Sequence, residues 1–372
     1  MIDLSGQRIW VMAKGFAAEE GGMQTYAEGV AHAYAAAGAK VTVFTQTSNG
    51  PRHGPHGPVL LVDVGARPSP LLPWRLATAM RRQAGAEGAP QLVHGTTWRT
   101  SLLPMVLGLP YATTFHGREF MYGGRTRLAL MRRIAQRARV VCAVSEYSAG
   151  KLRQRLGPEC PPVTVAWNGL GEDAPGPAPA QVNEPPQIFS LCRLEPRKNI
   201  TACVTALARL RDEGFAFRYV IGGRGPALAE VQELVLRLKL SDCVEVAGFL
   251  PAEETARLYA ETDIFLHPQV AADGGRDFEG FGIAIADAMA AGCAVVVGAE
   301  GGAIELIEDG VTGLAVDGHD QAALENAIRR LLTGADRRKA LARAAETHAR
   351  ATFRWDRHVE RILAAAGPPF SG

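Results

Sequence analysis

Short apolar runs alternate with longer segments of helical hydrophobic spacing along most of this chain. Runs of this length are typical of buried strands, and helices between consecutive strands favour a parallel sheet. In the N-terminal half the pattern predicts strands at residues 8–12, 40–44, 59–63, 91–93, 111–114, 140–143 and 163–165. In a sheet of this kind, ligand-binding loops lie at the carboxyl ends of the strands.

The same alternation resumes in the second half of the chain. Strands are predicted there at residues 188–192, 217–221, 244–246, 264–267 and 294–297. Between the two series, residues 168–187 are dense in proline, glycine and alanine, which is typical of a linker. A chain of 372 residues also exceeds one comfortable hydrophobic core. The pattern therefore predicts two Rossmann-like α/β domains, followed by a last helix that ends near residue 366.

Composition places the chain among ordinary globular proteins, because 47% of its residues are hydrophobic and 21% are charged. The N-terminus lacks the basic and then apolar pattern of a signal peptide, and no apolar run reaches the length of a membrane-spanning helix. The expected location is the cytoplasm. The six cysteines include no C-x-x-C pair, so we expect buried, reduced thiols.

Charge is distributed unevenly along the chain. Residues 1–166 carry 19 Lys and Arg against 9 Asp and Glu, a net +10, and the remaining residues have a net charge of −8. A basic half is either solvated surface or a domain that meets anionic lipid. Apolar and cationic side chains lie close in sequence at residues 71–75 and 125–139, so we hypothesise peripheral attachment to the inner face of an anionic membrane. No nucleic-acid motif accompanies the charge, so nucleic acid is not an expected partner.

A strand-loop-helix segment in the second half carries two candidate carboxylates. Glu279 precedes a glycine turn into a helix, and Asp287 lies inside that helix, so both side chains can face one cleft. The unpaired amides at the start of this helix suit a phosphate or a polar sugar, and they belong to Phe281, Gly282 and Ile283.

Two cations in the run LCRLEPRKNI complete the candidate site. Arg193 leaves the first strand of the second domain, and Lys198 lies just before a helix that begins near Asn199. Because a helix N-terminus and two cations can meet there, one diphosphate can contact both side chains.

These segments resemble the retaining glycosyltransferases of family 4, also described as glycosyl transferases group 1, and the resemblance covers nearly the whole chain. Members carry two glutamates with seven residues between them, and here the second acid is Asp287. The resemblance implies the GT-B fold, in which two Rossmann-like domains face each other across a cleft and a C-terminal helix crosses back. It implies an acceptor domain at residues 1–167 with 352–372, a linker at 168–187 and a donor domain at 188–351.

The family also implies roles for individual residues of the donor domain. Arg193 and Lys198 correspond to the pair that neutralises the leaving nucleotide diphosphate. Glu279 corresponds to a residue at the sugar, and Asp287 to the glutamate that contacts the ribose. Further donor contacts are expected in the glycine loop at Gly223 and in the loop that flanks the base, at Phe249 and Leu250.

In the first domain the resemblance concerns a histidine and a glycine pair. His116, in TFHGREF, corresponds to a histidine that contacts the donor sugar. His94 also ends a strand, but it ranks below His116 because Glu119 matches the family pattern as well. Gly21 and Gly22 correspond to a pair near the donor diphosphate and the acceptor.

The implied reaction transfers a hexosyl unit, with retention, from a UDP- or GDP-linked sugar to an acceptor hydroxyl on a glycan or lipid-linked acceptor. Neither a metal nor another cofactor is expected, since protein cations would stabilise the leaving group. The sequence leaves open an epimerase of the same fold and a non-catalytic nucleotide-sugar binding module. A glycoside hydrolase using Glu279 and Asp287 is disfavoured by the cation pair, and a metal-dependent transferase using Asp277 and Glu279 by the glycine turn that follows.

Overall fold

The computed structural model describes residues 2–16, 21–66, 69–171 and 183–370. The chain divides into two compact units, Met1–Gly169 with Arg354–Gly372 and Leu170–Phe353. Residues 172–182 of the predicted linker lie outside the described residues, as do residues 17–20 of the loop before the glycine pair. Both units are α/β layers built on a mostly parallel sheet, which confirms the predicted fold class.

The sheet of the first unit has eight strands in the order β3-β4-β2-β1-β5-β6-β7-β8. They are β1 Arg8–Met12, β2 Lys40–Thr45, β3 Arg52–His56, β4 Val59–Asp63, β5 Leu92–Gly95, β6 Tyr111–Phe115, β7 Val140–Ala143 and β8 Val163–Val165. Every pairing is parallel except that of β3 with β4. Strand β3 was not predicted, because this polar edge strand, RHGPH, has no apolar run and depends on its hairpin with β4.

The described helices of the first unit are α1 Gly22–Ala36, α2 Leu72–Glu87, α3 Leu102–Val106, α4 Arg118–Met121, α5 Arg125–Arg137, α6 Glu146–Leu156 and the C-terminal α13 Trp355–Ala366. Ser145 caps α6 by accepting a hydrogen bond from the Ser148 amide. Helix α13 packs on α1, where the Trp355 ring lies over Gly29.

The second unit has a six-stranded, all-parallel sheet in the order β11-β10-β9-β12-β13-β14. Its strands are β9 Gln187–Leu191, β10 Arg218–Gly222, β11 Val244–Gly248, β12 Ile264–His267, β13 Ala294–Gly298 and β14 Leu314–Val316. Its helices are α7 Ile200–Asp212, α8 Leu228–Arg237, α9 Ala252–Glu261, α10 Ile283–Ala290, α11 Gln321–Thr333 and α12 Ala335–Thr352. Strand β14, a three-residue edge strand, was not predicted.

The cysteines agree in part with the expectation of buried thiols. All six are free, but only Cys142, Cys203 and Cys293 are buried, while the other three are partly exposed. Within the described ranges, no helix is both long and apolar enough to cross a bilayer.

The contact between α1 and α13 leads to a stability prediction. A Cβ atom at Gly29 would lie 2.1 Å from Cε2 of Trp355, so Gly29→Ala should force α13 to shift and destabilise the protein by about 1 to 3 kcal/mol. Gly85→Ala is a matched control, because a Cβ at that position in α2 meets nothing within 4 Å. The control should gain about 0.5 to 1 kcal/mol from its helix propensity. Denaturant unfolding measures both, and equal effects would contradict the packing role of Gly29.

Candidate functional site

The segment after β9 places Lys198 at the carboxyl edge of the second sheet. Residues Pro196–Lys198 form one turn of 3-10 helix, and Asn199 follows with a left-handed φ of 60° before α7 begins. The side-chain Nδ2 of Asn199 donates to the carbonyls of Pro268 at 3.1 Å and Gly318 at 2.7 Å. These bonds stabilise a left-handed backbone conformation that residues other than glycine rarely adopt. The turn directs the Lys198 side chain into the interior.

The loop after β12 brings Glu279 to the same edge. Its carbonyl accepts a hydrogen bond from the Gly302 amide at 2.7 Å, and Gly282 takes a φ of 96° at the start of α10. A Cβ atom at Gly301 would lie 2.8 Å from the Glu279 carbonyl oxygen, so the two loops pack closely. Glycine at these positions allows the loop to direct the Glu279 side chain toward Arg197 and Lys198.

The Glu279 carboxylate contacts two cations. One of its oxygens, Oε2, contacts Nζ of Lys198 and accepts from Nη1 of Arg197 at 3.0 Å. The Nε atom of Arg197 also lies 3.2 Å from both Glu195 Oε2 and Asp277 Oδ1. Arg197 therefore joins three carboxylates, although the sequence analysis singled out only its neighbour Lys198.

Electrostatics keep this cluster charged. Burial would raise the pKa of Glu279, but Lys198 and then Arg197 outweigh that effect and hold the pKa well below its usual range. Burial likewise acts to lower the pKa of Arg197, and Glu279 reverses the shift, so the pKa of Arg197 is raised. The carboxylate of Glu279 is thus ionised at neutral pH and carries no proton to donate.

Arg193 has a different environment from Lys198. Its side chain is 73% exposed, with Nε at 3.3 Å from Oε1 of Glu195. The structure therefore brings Lys198 and Glu279 into direct contact. Among the described residues, Arg193 contacts neither of them and is linked to Glu279 only through Glu195 and Arg197. Both Asp277 and Glu279, the pair of the metal-dependent alternative, are ion-paired with Arg197.

Asp287 lies in the second turn of α10 and contacts the backbone at the start of the second unit. Its Oδ1 accepts a hydrogen bond from the Gly171 amide at 2.8 Å. A Cβ atom at Gly171 would lie 3.2 Å from Oδ2 of Asp287, so the short acid and the glycine fit together. The expected contact with a ribose stays a prediction. At the start of the helix, the Phe281 ring packs edge-on against Phe353, while Ile283 begins the first turn.

The ends of β10 and β11 carry the remaining residues expected at the donor. Gly223 has a φ of 121°, and a Cβ there would lie 1.9 Å from the Cys192 carbonyl oxygen, so the loop requires glycine. The Arg224 guanidinium stacks 4.9 Å from the centre of the Phe249 ring, and both side chains are exposed. The Leu250 side chain packs against Gly222.

In the first unit, His116 follows β6 with its backbone held by Glu119. The carboxylate of Glu119 accepts from the amides of His116 at 2.7 Å and Gly117 at 2.9 Å. The ring Nε2–H of His116 donates to the Thr96 carbonyl at 2.8 Å, which makes Nδ1 the acceptor nitrogen of the neutral ring. Burial is the main cause that lowers the pKa of His116. Of the glycine pair, Gly21 has a φ of 139° and Gly22 is the first residue of α1.

His94, the rival of His116, is part of a buried network of hydroxyl groups. Its Nδ1 lies 3.0 Å from the Tyr34 hydroxyl, and its Nε2 lies 3.2 Å from Tyr26 and 2.9 Å from Thr114. Burial lowers the pKa of His94 to about 3, so its ring is neutral. Tyr26 also bonds His358 of α13 at 2.9 Å, a contact that no sequence motif indicated.

Comparison with known proteins identifies the family. The model for Glycosyl transferases group 1 matches residues 177–348, and the model for Glycosyltransferase Family 4 matches residues 20–173. A relative is the GDP-mannose-dependent alpha-(1-6)-phosphatidylinositol monomannoside mannosyltransferase of Mycobacterium tuberculosis (strain CDC 1551 / Oshkosh). It is 30% identical over 280 residues, which cover 70% of this chain and 72% of that protein. The chain belongs to the group 1 glycosyltransferases.

Solved structures share the fold of this glycosyltransferase. Sucrose-phosphate synthase from Thermosynechococcus elongatus aligns with a TM-score of 0.78 at 22% identity, covering 97% of this chain and all of that one (100%). The Anabaena Alr3699/HepE structure in complex with UDP-glucose aligns with a TM-score of 0.75 at 20% identity, covering 96% and 99%. These similarities confirm the GT-B fold class.

The cation cluster of the glycosyltransferase gives a kinetic prediction. We expect Lys198→Ala and Arg193→Ala each to lose about 2 to 4 kcal/mol of transition-state stabilisation in kcat/KM, because each removes a positive charge that is expected to face the leaving diphosphate. Arg211→Ala is the control, since Arg211 makes an exposed ion pair with Asp242 at 2.8 Å. Its kinetics should change by no more than about 0.5 kcal/mol. Near-normal kinetics of either Lys198→Ala or Arg193→Ala would contradict the expected diphosphate site.

Proposed function

We propose that this glycosyltransferase transfers a hexosyl unit from a nucleotide-diphosphate sugar to an acceptor hydroxyl, with retention of the anomeric configuration. The observation that carries the proposal is the ionised Glu279 held on Lys198 and Arg197 at the carboxyl ends of β9 and β12. Ligands of parallel α/β sheets bind at this edge. Sugar hydroxyls suit the carboxylate, and a diphosphate suits the cations.

In this mechanism the protein stabilises the departing charge. The positive charges of Lys198 and Arg193 stabilise the negative charge that develops on the leaving diphosphate. The first amides of α10, at Gly282 and Ile283, direct the positive end of the helix dipole toward the same charge. Since Glu279 is ionised, it does not act as the general acid of a glycosidase. The leaving phosphate itself takes the proton of the attacking hydroxyl, so the reaction occurs on one face of the sugar. No metal is required for this charge balance.

The named relative supports a choice of donor and acceptor classes. That mannosyltransferase is described as GDP-mannose-dependent and acts on a phosphatidylinositol monomannoside. We therefore propose GDP-mannose as the first donor to assay, UDP-linked hexoses as the second, and glycolipid or polysaccharide assembly as the setting.

A transfer assay tests this function and its rivals together. The purified protein is incubated with labelled GDP-mannose or UDP-glucose and a lipid extract or oligosaccharide acceptor, with and without a strong chelator. We expect transfer that the chelator leaves unchanged, and NMR of the product should show the anomer of the donor. An inverted product, or activity restored only by added magnesium or manganese, would contradict the mechanism. A released epimer of the donor sugar would indicate an epimerase, and binding without turnover would indicate a binding module.

We also propose that the first unit attaches peripherally to anionic membranes. Trp74 is 66% exposed and Leu71 is 52% exposed, at the start of α2, and the surrounding half of the chain has a net charge of +10. An exposed tryptophan beside cations favours the interface of an anionic bilayer.

Liposome flotation checks this attachment. Recovery should be higher with anionic than with neutral vesicles and should fall at high salt, since each surface cation near the bilayer contributes about 1 kcal/mol. Trp74→Ala should reduce recovery. Leu236→Ala, at an apolar residue of the second unit that is 68% exposed, should not. Equal recovery with neutral and anionic vesicles at both salt concentrations would contradict membrane attachment. It would mean that the arginines are ordinary solvent-exposed residues.

A further inference from the structure

A chain of buried hydrogen bonds leads from the end of β13 to the ammonium of Lys198. Gln269 Nε2 donates to the carbonyls of Gly298 at 2.7 Å and Glu300 at 3.1 Å. Its Oε1 lies 2.9 Å from His267 Nδ1, and His267 Nε2 lies 3.3 Å from Nζ of Lys198. Gln269, His267 and Lys198 have exposures of 0%, 1% and 7%, so water does not compete for these bonds. Nothing in the proposed chemistry yet uses His267 or Gln269.

The donor and acceptor chemistry of these side chains fixes which atom donates in each hydrogen bond of this series. Two carbonyl oxygens can only accept, so the amide nitrogen of Gln269 faces them and its oxygen faces His267. The Nδ1–H of His267 then donates to that oxygen, and Nε2 of the neutral ring carries a lone pair. Lys198 has only N–H donors, so it donates to Nε2.

The surroundings keep the His267 ring neutral. Burial, and then Lys198, lower the pKa of His267 to about 4, and Arg197 acts in the same direction. Glu279 and Gln269 oppose the shift without reversing it. The ring is also stacked on Phe265, with an interplanar angle of 11°. The acceptor nitrogen is therefore present over the whole neutral pH range.

We propose that His267 and Gln269 are positioning residues for Lys198, an inference that rests on the proposed glycosyl transfer. In the described part of the chain, the Lys198 ammonium contacts the side chains of His267 and Glu279, which leaves one of its three N–H groups for the leaving phosphate. An ammonium on a flexible four-carbon stem needs such support, because a displacement of about 1 Å at a reacting centre costs roughly 100-fold in rate. The hydrogen-bond chain sets the position of this N–H group.

Protonation of His267 would reverse the arrangement. Nε2 would become a donor, and a second positive charge would face the ammonium, so Lys198 would turn away from the phosphate. Gln269 keeps protonation of His267 unfavourable in the wild-type enzyme, because a neutral amide stabilises the imidazolium less than a carboxylate would.

Two substitutions at His267 separate positioning from mere packing. Gln in place of His267 extends an amide oxygen toward the position of Nε2, so it can still accept from Lys198, whereas His267→Leu offers no acceptor. We expect His267→Leu to lower kcat about 10- to 100-fold with a small change in the donor KM. His267→Gln should stay within about threefold of the wild type, on the same reasoning. Equal losses in the two variants would overturn the proposal.

The pH dependence provides a readout that a packing role would not move. In Gln269→Glu the new carboxylate raises the pKa of His267, so turnover should fall as the pH decreases below about 7. The wild type should keep its turnover to about pH 5.5, above the pKa of its histidine. The control is Ser190→Ala, which removes buried hydrogen bonds to Tyr219 at 2.8 Å and Leu266 at 2.6 Å. Ser190 makes no hydrogen bond to Gln269, His267 or Lys198 within the described residues. The control should lower thermal stability and leave the pH profile unchanged. A Gln269→Glu profile like that of the wild type would contradict the proposal.

Nitrogen-15 NMR of labelled histidine completes the test without using activity. The His267 signals, assigned by their loss in His267→Gln, should show a neutral ring with hydrogen on Nδ1 from pH 8 to pH 5. The opposite tautomer, or titration near pH 6.5, in an active enzyme would overturn the positioning role alone. The expected tautomer in a protein that transfers no sugar from any donor would instead overturn the proposed function, and the phosphate role of Lys198 with it.

Discussion

The site of the second unit depends on the burial of one carboxylate, that of Glu279, against two cations. An isolated buried charge costs several kcal/mol, and removing one partner of a buried pair typically costs about 3 to 5 kcal/mol. The loops after β9 and β12 must therefore keep Lys198 and Arg197 close to Glu279. The left-handed conformations of Asn199 and Gly282 are the local means by which the backbone does so.

The sequence predicted most of the fold and part of the site, and the differences have physical causes. Short apolar runs located most of the parallel strands. The edge strand β3 was not predicted because it is polar, and the three-residue edge strand β14 was not predicted either. Glu279 and Lys198 were found through their motif. Arg197 was not, since neighbouring cations in a loop differ only in the direction that the backbone turns them. Asp287 shows the same limit, because its contact with Gly171 spans residues that no local pattern connects.

The histidines illustrate how environment divides one residue type into several roles. His94 and His116 both follow apolar runs and both precede glycine. His94 is bonded to hydroxyl groups through both nitrogens, whereas His116 uses one nitrogen for a backbone carbonyl. His267 was described by the sequence only as the end of a strand, and its three-dimensional partners make it a neighbour of Lys198. Burial lowers the pKa of all three rings, so each is neutral at physiological pH.

The ion cluster around Arg197 contains as many positive as negative side chains. Arg193, Arg197 and Lys198 are matched by the carboxylates of Glu195, Asp277 and Glu279, so the cluster is electroneutral. Long-range attraction of anions requires a net field, which this arrangement does not produce. A free phosphate or sulfate ion therefore gains little by approaching it. A ligand is captured at short range only if it exchanges partners with several carboxylates at once, and a molecule that carries a diphosphate and sugar hydroxyls together meets that condition.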